Sequence, residues 1–325
     1  MKKLLLKLIT VLSLPVILSY LYVLIFPDYY MNTDQTAWMW QKDHVTGNSD
    51  HNDIIIMGDS CAQSGILPYD KDGLNVYNLS IFSCTSVEMY ISLRNYLENH
   101  DAPQAVVMMF SVKNYFPHDW LYEDRIYEYT FSTEYYSVSE AYELYKKGRE
   151  LDDPIWGSYN ILFNILNYYY LKNPVIFLPA LNNGNFFGRY DANKWQYEYL
   201  EQNKGWMSWG NEAESYANDY IAGLKHFNVM PMQDYYLRQM IELCRENDIK
   251  IVIEQPPAKE SSIGNIPENV INEFEGYFTQ LQQDYPYAFI NTSLTYYSND
   301  NFTDADHLNL RGAEKLTAEI FDKYF

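Results

Sequence analysis

One apolar segment constrains the fold of this chain more than any other. Residues 53–57 read Asp-Ile-Ile-Ile-Met and break at the turn Gly58-Asp59-Ser60. An uninterrupted β-branched run is typical of a strand that is buried on both faces of a parallel sheet. Residues 61–65 can begin a helix, which would place Ser60 at the carboxyl edge of the sheet. Open α/β folds bind ligands in that crevice, and a helix N-terminus favours a developing anion. The position therefore suits a nucleophilic serine.

A second polar pair lies near the other end of the chain, where Asp304 and His307 precede a final helical segment. A serine hydroxyl is a weak nucleophile and needs a base. His307 can supply that base, and Asp304 can hold its ring in the required tautomer. Asp306 is the less favoured partner, because a residue adjacent to a histidine rarely turns its carboxylate back onto the ring. The alternative is that Ser60 only caps a helix and His307 lies on the surface.

Four further apolar runs alternate with amphipathic segments, at residues 74–79, 105–110, 250–254 and 288–291. This alternation predicts an α/β protein, with a five-stranded parallel doubly wound sheet in a three-layer α/β/α sandwich. Residues from about 116 to 230 interrupt it with an insertion rich in Tyr, Trp, Asn and Phe. The insertion is too long for an ordinary loop, so we expect it to be mainly helical.

The first residues predict a membrane anchor. Met1-Lys2-Lys3 precede an apolar run, residues 4–26, in which Lys7 is the only charge. The run can cross a bilayer at roughly 20 residues per crossing, and the preceding lysines favour a cytoplasmic tail. No small-residue cleavage site follows it. We therefore expect a single-pass anchor at 1–28 in the cytoplasmic membrane, a connector at 29–52 and an extracytoplasmic catalytic domain at 53–325.

Composition limits the partners. A net charge of −20 argues against nucleic acid and makes an anionic polymer an unfavourable substrate unless positive charge is local. The three cysteines lack metal-site spacing, so neither a metal nor another cofactor is expected. The 33 tyrosines indicate either a Tyr-rich core and surface or aromatic platforms for sugar rings. Within the insertion, Trp195, Trp206 and Trp209 are the candidate sugar-binding residues, with core packing as the alternative for each.

The Gly58-Asp59-Ser60 turn and the Asp304-x-x-His307 segment resemble the first and last sequence blocks of the SGNH/GDSL hydrolase superfamily. The resemblance covers residues 50–115 and 232–325. It implies that Ser60 is the nucleophile, His307 the base and Asp304 its partner. Residues 78–85 resemble the second block of that family, but serines at positions 80 and 83 replace its two glycines.

The same resemblance implies an oxyanion hole, with the backbone N–H of Ser83 and an asparagine after the third strand as donors. The glycine of the family's third block is missing here, where the sequence reads Ser111-Val112-Lys113-Asn114. Asn114 is the candidate donor and Ser111 its substitute. Lys113 can also donate, although a solvated surface lysine is favoured. Cys61 and Cys84 lie beside these blocks, either as a disulfide or as two free thiols.

Intact first and last blocks beside altered middle blocks, with an N-terminal anchor, resemble a narrower branch of the superfamily. This branch contains the membrane-anchored DltD-like proteins and the polysaccharide O-acetyltransferases. It implies transfer of an acetyl or D-alanyl group to a cell-surface polysaccharide through an acyl-enzyme on Ser60, beside a membrane-bound O-acyltransferase. Two alternatives remain open: an extracytoplasmic carbohydrate esterase or deacetylase, and a non-catalytic glycan-binding protein.

Overall fold

A parallel β-sheet forms the centre of the chain in the computed structural model, which describes residues 2–26, 29, 31, 33–47, 52–68, 73–115, 135–163, 188–210 and 220–325. The strands are β1 (Ile54–Gly58), β2 (Val76–Asn78), β3 (Ala105–Met109), β4 (Lys250–Glu254), β5 (Ala258–Lys259), β6 (Phe289–Ile290) and β7 (Tyr296–Tyr297). Five of them form one sheet in the order β2-β1-β3-β4-β6, with every pair parallel. The predicted α/β class and five-stranded parallel sheet are confirmed. The separate parallel pair β5–β7 was not predicted.

The described residues form nine α-helices. They are α1 (Lys2–Ile25), α2 (Thr33–Thr46), α3 (Ser60–Gly65), α4 (Ser86–Asn99), α5 (Val138–Glu150), α6 (Gly188–Gln202), α7 (Pro231–Glu246), α8 (Glu268–Asp284) and α9 (Leu310–Tyr324). Alternate residues of β1 pack into two different apolar cores. Ile55 and Met57 join the core that holds α2, α4, α7 and α8, whereas Ile54 and Ile56 join the core that holds α3 and α9. Because both faces of β1 are covered, its sequence is apolar throughout.

Residues 33–46 of the predicted connector form α2, which packs against α4 and α6. Trp38 and Trp40 are fully buried there, as are Ala37 and Val45. The indole N–H of Trp40 donates to Glu201 at 3.1 Å. Because residues two apart on a helix point to different sides, the two tryptophans are buried on different faces of α2, and no single apolar face marks the helix in the sequence.

Helix α1 occupies the apolar run near the start of the chain. Within the residues that the structure describes, no helix has both the length and the apolar character needed to cross a membrane. The structure therefore gives no support to the membrane-spanning anchor that the sequence predicts at residues 1–28. The insertion predicted at about 116–230 is described at residues 135–163, 188–210 and 220–230, which include α5 and α6. Its other residues lie outside the described ranges.

The backbones of β1 and β3 approach closely where the nucleophile segment leaves the sheet. A Cβ on Gly58 would lie 1.9 Å from the carbonyl oxygen of Met109, its partner in the sheet. We expect Gly58→Ala to lower the free energy of unfolding by about 3 kcal/mol, because the two strands must separate. Urea denaturation measures this change.

Gly276→Ala is the matched control. Gly276 lies inside α8, and a Cβ there meets no atom within 4 Å. Alanine should keep or raise stability by up to about 1 kcal/mol, since glycine disfavours a helix interior. Equal stabilities of wild type and Gly58→Ala would contradict the close approach of the two strands.

Candidate active site

Ser60 is the first residue of α3, directly after the carboxyl end of β1. The preceding residue, Asp59, is the N-cap of this helix and accepts a hydrogen bond from the backbone N–H of Cys61 at 2.8 Å. The Ser60 side chain is 7% exposed. The strand, the tight turn and the cap together hold the hydroxyl at the edge of the sheet, where a substrate can reach it.

Three polar side chains meet at this edge. Nε2 of His307 lies 2.8 Å from Oγ of Ser60, and Nδ1 of His307 lies 2.7 Å from Oδ2 of Asp304. The other carboxylate oxygen of Asp304 accepts from the backbone N–H groups of Asp306 and His307 at 2.9 and 2.8 Å. A proton on Nδ1 that is donated to Asp304 leaves the lone pair of Nε2 facing the serine hydroxyl. The structure thus brings the three predicted catalytic residues into one relay.

The groups around Asp304 favour its ionised form. Burial by itself would raise the pKa of Asp304, but the bonds from His307 and the backbone amides lower it well below its usual range. The carboxylate therefore stays ionised beside the imidazole. An ionised partner stabilises the imidazolium that forms when the histidine takes a proton from serine.

Asp306 faces away from this relay. Its carboxylate pairs with Nζ of Lys113 at 2.6 Å, and each side chain is only about one-fifth exposed. Burial would lower the pKa of Lys113, but the charge of Asp306 raises it above its usual value. The favoured prediction of a solvated surface lysine is wrong, because Lys113 forms a partly buried ion pair beside the histidine loop.

Ser83 and Asn114, the two predicted oxyanion donors, have different surroundings. Ser83 has a φ of +57°, in the left-handed region. A residue with a Cβ pays about 1–2 kcal/mol there, which explains why a glycine suits this position. Asn114 directs its amide nitrogen to the carboxylate of Asp59 and to the carbonyl oxygen of Cys84, the latter at 3.1 Å. Both amide hydrogens point into the protein, so the contacts of Asn114 do not support its predicted role as a donor to the oxyanion.

Asp59 connects the parts of the site, and the sequence analysis did not single it out. Its buried carboxylate accepts from the backbone N–H groups of Cys61 and Ser111, both at 2.8 Å, and from Asn114. Burial raises the pKa of Asp59, although the bonds from Ser111 and Cys61 and the charge of Lys113 oppose that shift. The sequence did contain a signal for this role, namely an acidic residue at a helix N-cap directly after a buried strand.

The three candidate sugar-binding tryptophans occupy different places. Trp209 stacks on the His307 ring, with centroids 4.7 Å apart and planes inclined by 9°. Trp206 donates its indole N–H to the backbone oxygen of Ser64, in α3, at 2.8 Å. Trp195 lies on α6, is 60% exposed and packs against Tyr199. The structure thus places Trp206 against α3 and Trp209 against His307, whereas Trp195 packs within α6.

A small pocket of about 40 Å³ lies near the ion pair of Lys113 and Asp306. Cys61 and this ion pair line one part of it. Apolar side chains line the rest, mainly those of Val112, Ile221, Pro256, Pro257 and Leu294. Cys61 follows the serine in sequence and Asp306 precedes the histidine, but neither Ser60 nor His307 lines the pocket. Small groups of mainly apolar character fit such a space.

The thiols of Cys61 and Cys84 are free and buried. The thiol of Cys61 contacts the backbone oxygen of Asp306 at 3.6 Å, and that of Cys84 contacts the backbone oxygen of Gly58 at 3.0 Å. The disulfide that the sequence left open is therefore not formed, and the two-thiol alternative describes the structure. In the described part of the chain, no three His, Cys, Asp or Glu side chains cluster in a way that could hold a metal ion.

Glu88 lies below the loop that carries Ser83. Its carboxylate accepts from the backbone N–H of Thr85 and from the hydroxyl of Tyr136, both at 2.8 Å. Burial raises the pKa of Glu88, partly opposed by these bonds. A carboxyl with a raised pKa in the folded chain makes the fold less stable as pH rises through that value.

Glu88→Gln should remove this pH dependence, because a glutamine keeps an acceptor for Thr85 and a donor for Tyr136. We expect wild type to lose stability relative to the variant as the pH rises above about 4.5, the ordinary value. Urea unfolding at a series of pH values measures the difference. Glu98→Gln, at an exposed position of α4, is the control. Parallel pH profiles for wild type and Glu88→Gln would contradict the raised pKa.

Comparison with known proteins identifies the family. Residues 39–324 match the family model described as "Protein of unknown function (DUF1574)". Because this match covers most of the chain, the chain belongs to the DUF1574 family. No curated protein matches the chain in sequence. The family description assigns no activity, so the chemistry of the site follows from its residues and geometry.

Proposed function

We propose that this member of the DUF1574 family is a serine-dependent O-acyltransferase of the SGNH type. The observation that carries the proposal is the Ser60–His307–Asp304 relay, with its two short hydrogen bonds. The order of the sequence blocks supports an SGNH assignment, since the serine follows the first strand and the histidine precedes the last helix. The covered sheet and the left-handed residue at position 83 support it further.

The proposed first half-reaction forms an acyl-enzyme. Oγ of Ser60 attacks the carbonyl carbon of an acyl ester, and Nε2 of His307 takes the hydroxyl proton. The backbone N–H groups of Ser60 and Ser83 bind the oxyanion of the tetrahedral intermediate. The bond to the leaving oxygen then breaks, and the imidazolium returns the proton to that oxygen. The donor alcohol leaves, and the acyl group stays on Ser60.

The second half-reaction transfers the acyl group to a hydroxyl. His307 takes the proton of the acceptor hydroxyl, whose oxygen attacks the acyl carbonyl, and the serine leaves with that proton. We propose that the acceptor is a hydroxyl of a cell-surface polysaccharide. The net charge of −20 favours an uncharged polymer over an anionic one. The extracytoplasmic location and a membrane-bound O-acyltransferase as acyl donor belong to the proposal and rest on the sequence alone.

The small pocket near Cys61 has a mainly apolar lining, which favours a short, uncharged acyl group. A D-alanyl group is larger than an acetyl group and carries an ammonium. We therefore propose acetyl as the transferred group.

Hydrolysis is the second candidate, because the same relay can activate water in place of a sugar hydroxyl. The chain would then be a carbohydrate esterase or deacetylase. A non-catalytic glycan-binding protein is the third candidate, favoured only by the altered residues at positions 80, 83 and 111. The rate at which water and alcohols discharge the acyl-enzyme separates the first two candidates. The absence of an acyl-enzyme would leave the third.

We expect a single acetyl adduct on Ser60 when the protein reacts with an activated acetyl ester. Ser60→Ala and His307→Ala should form none, and Asp304→Asn should react roughly 10³- to 10⁴-fold more slowly, because the imidazole loses its tautomer and its charge partner. Intact-mass spectrometry with peptide mapping measures the adduct.

Cys61→Ala is the control for acylation of the neighbouring thiol, whose pKa is raised well above its usual value by burial. This variant should keep the adduct. A folded wild-type protein that forms no adduct, with fold checked by circular dichroism, would overturn the proposed activity. An adduct that water removes rapidly and that oligosaccharides leave unaffected would select the esterase.

A further inference from the structure

A segment of the insertion, residues 205–210, crosses the candidate site, and we call it the roof loop. The backbone N–H of Met207 donates to the backbone oxygen of Gln63 at 3.3 Å, and the indole of Trp206 bonds to Ser64. Both acceptors belong to α3, the helix that begins at Ser60. The roof loop is thereby attached to the element that carries the nucleophile.

Two glycines fit the roof loop against the other catalytic segments. Gly205 has a φ of +87°, and a Cβ there would lie 1.8 Å from the backbone oxygen of Asn78, at the end of β2. Gly210 has a φ of +140°, and a Cβ there would lie 2.5 Å from the hydroxyl oxygen of Thr303, which precedes Asp304. The roof loop therefore touches the ends of all three segments that build the site.

Trp209 is the residue of the roof loop that reaches the relay. Its ring lies nearly parallel to that of His307, and it meets the ring of Phe82 edge-on, with centroids 5.9 Å apart and planes at 78°. Phe82 immediately precedes Ser83 on the proposed oxyanion loop. The side chain of Trp209 remains 37% exposed. The indole thus covers one face of the imidazole and also presents aromatic surface outside the protein.

This arrangement treats water and a sugar differently. The stacked indole lies on one face of the imidazole, so it borders the place where Nε2 deprotonates an acceptor in the plane of the ring. Sugar rings have apolar C–H faces that pack on aromatic side chains, and such contact holds a hydroxyl near the base. Water has no apolar face and gains nothing from that contact.

We propose that Trp209 sets the partition of the acyl-enzyme between water and sugar hydroxyls, by providing the platform for the acceptor ring beside His307. This inference rests on the proposed function and deepens it. It makes Trp209 a specificity-determining residue. It also assigns the acceptor site to the exposed side of the roof loop.

The partition of acetyl-Ser60 tests the inference. Wild type and variants are acetylated with an activated ester, and the ratio of acetylated sugar to acetate is measured with cellotetraose and tetra-N-acetylchitotetraose as neutral acceptors. Trp209→Leu should shift this ratio toward hydrolysis by about tenfold, the effect of about 1.4 kcal/mol. Trp209→Phe should restore most of it, because it keeps an aromatic face. Tyr142→Leu, at an exposed aromatic position of α5, should match wild type.

An unchanged ratio in a folded, acetylated Trp209→Leu protein would overturn the inference while the proposed function stands. A wild-type chain that forms no acyl-enzyme would overturn the proposed function instead. Binding of the oligosaccharides still tests the acceptor platform, which is the part of the inference that needs no acyl-enzyme. The affinity of Ser60→Ala for the two oligosaccharides should fall about tenfold when Trp209→Leu is added, and equal affinities would overturn it.

Discussion

The buried carboxylate of Asp59 is the interaction on which the site depends. Through backbone and side-chain donors it joins the start of α3 to the loop after β3, and through Asn114 it also joins the carbonyl of Cys84 on the loop after β2. A carboxyl group in the interior is costly unless hydrogen-bond donors surround it. The donors that reduce this cost also fix the relative positions of the segments. The hydrogen bonds that Asp59 needs when buried are therefore the same ones that hold the site in its geometry.

A second buried acid extends this arrangement away from the chemistry. Glu88 closes the N-terminal turn of α4 through Thr85 and is bonded by Tyr136 from the insertion. The insertion therefore does more than cover the sheet. Through Tyr136 it reaches Glu88, at the start of α4 and next to the loop that carries Ser83, and through Trp209 it reaches the face of His307. Changes in the insertion can thus alter the site without altering the catalytic blocks.

The parts of the structure that could be predicted are those that depend on residues close together in the sequence. The β1 run is apolar because both of its faces are covered, and the spacing of Asp304 and His307 places both on one loop. The contacts that the sequence analysis missed join distant segments. Lys113 and Asp306 lie 193 residues apart, and neither sequence context shows that they pair. The side-chain direction of Asn114 depends on the turn after β3, and α2 looked like a linker because its sequence is mainly polar and has no single apolar face.

The separation of the reacting residues has a consequence for the newly made chain. Ser60 and His307 lie 247 residues apart, and the histidine loop directly precedes α9, which packs against α3. During synthesis the serine emerges before the histidine and lacks its base until the segment that carries His307 has been made. Under the proposed function, a chain in which this segment has not yet folded onto the sheet can neither consume acyl donor nor be trapped by it.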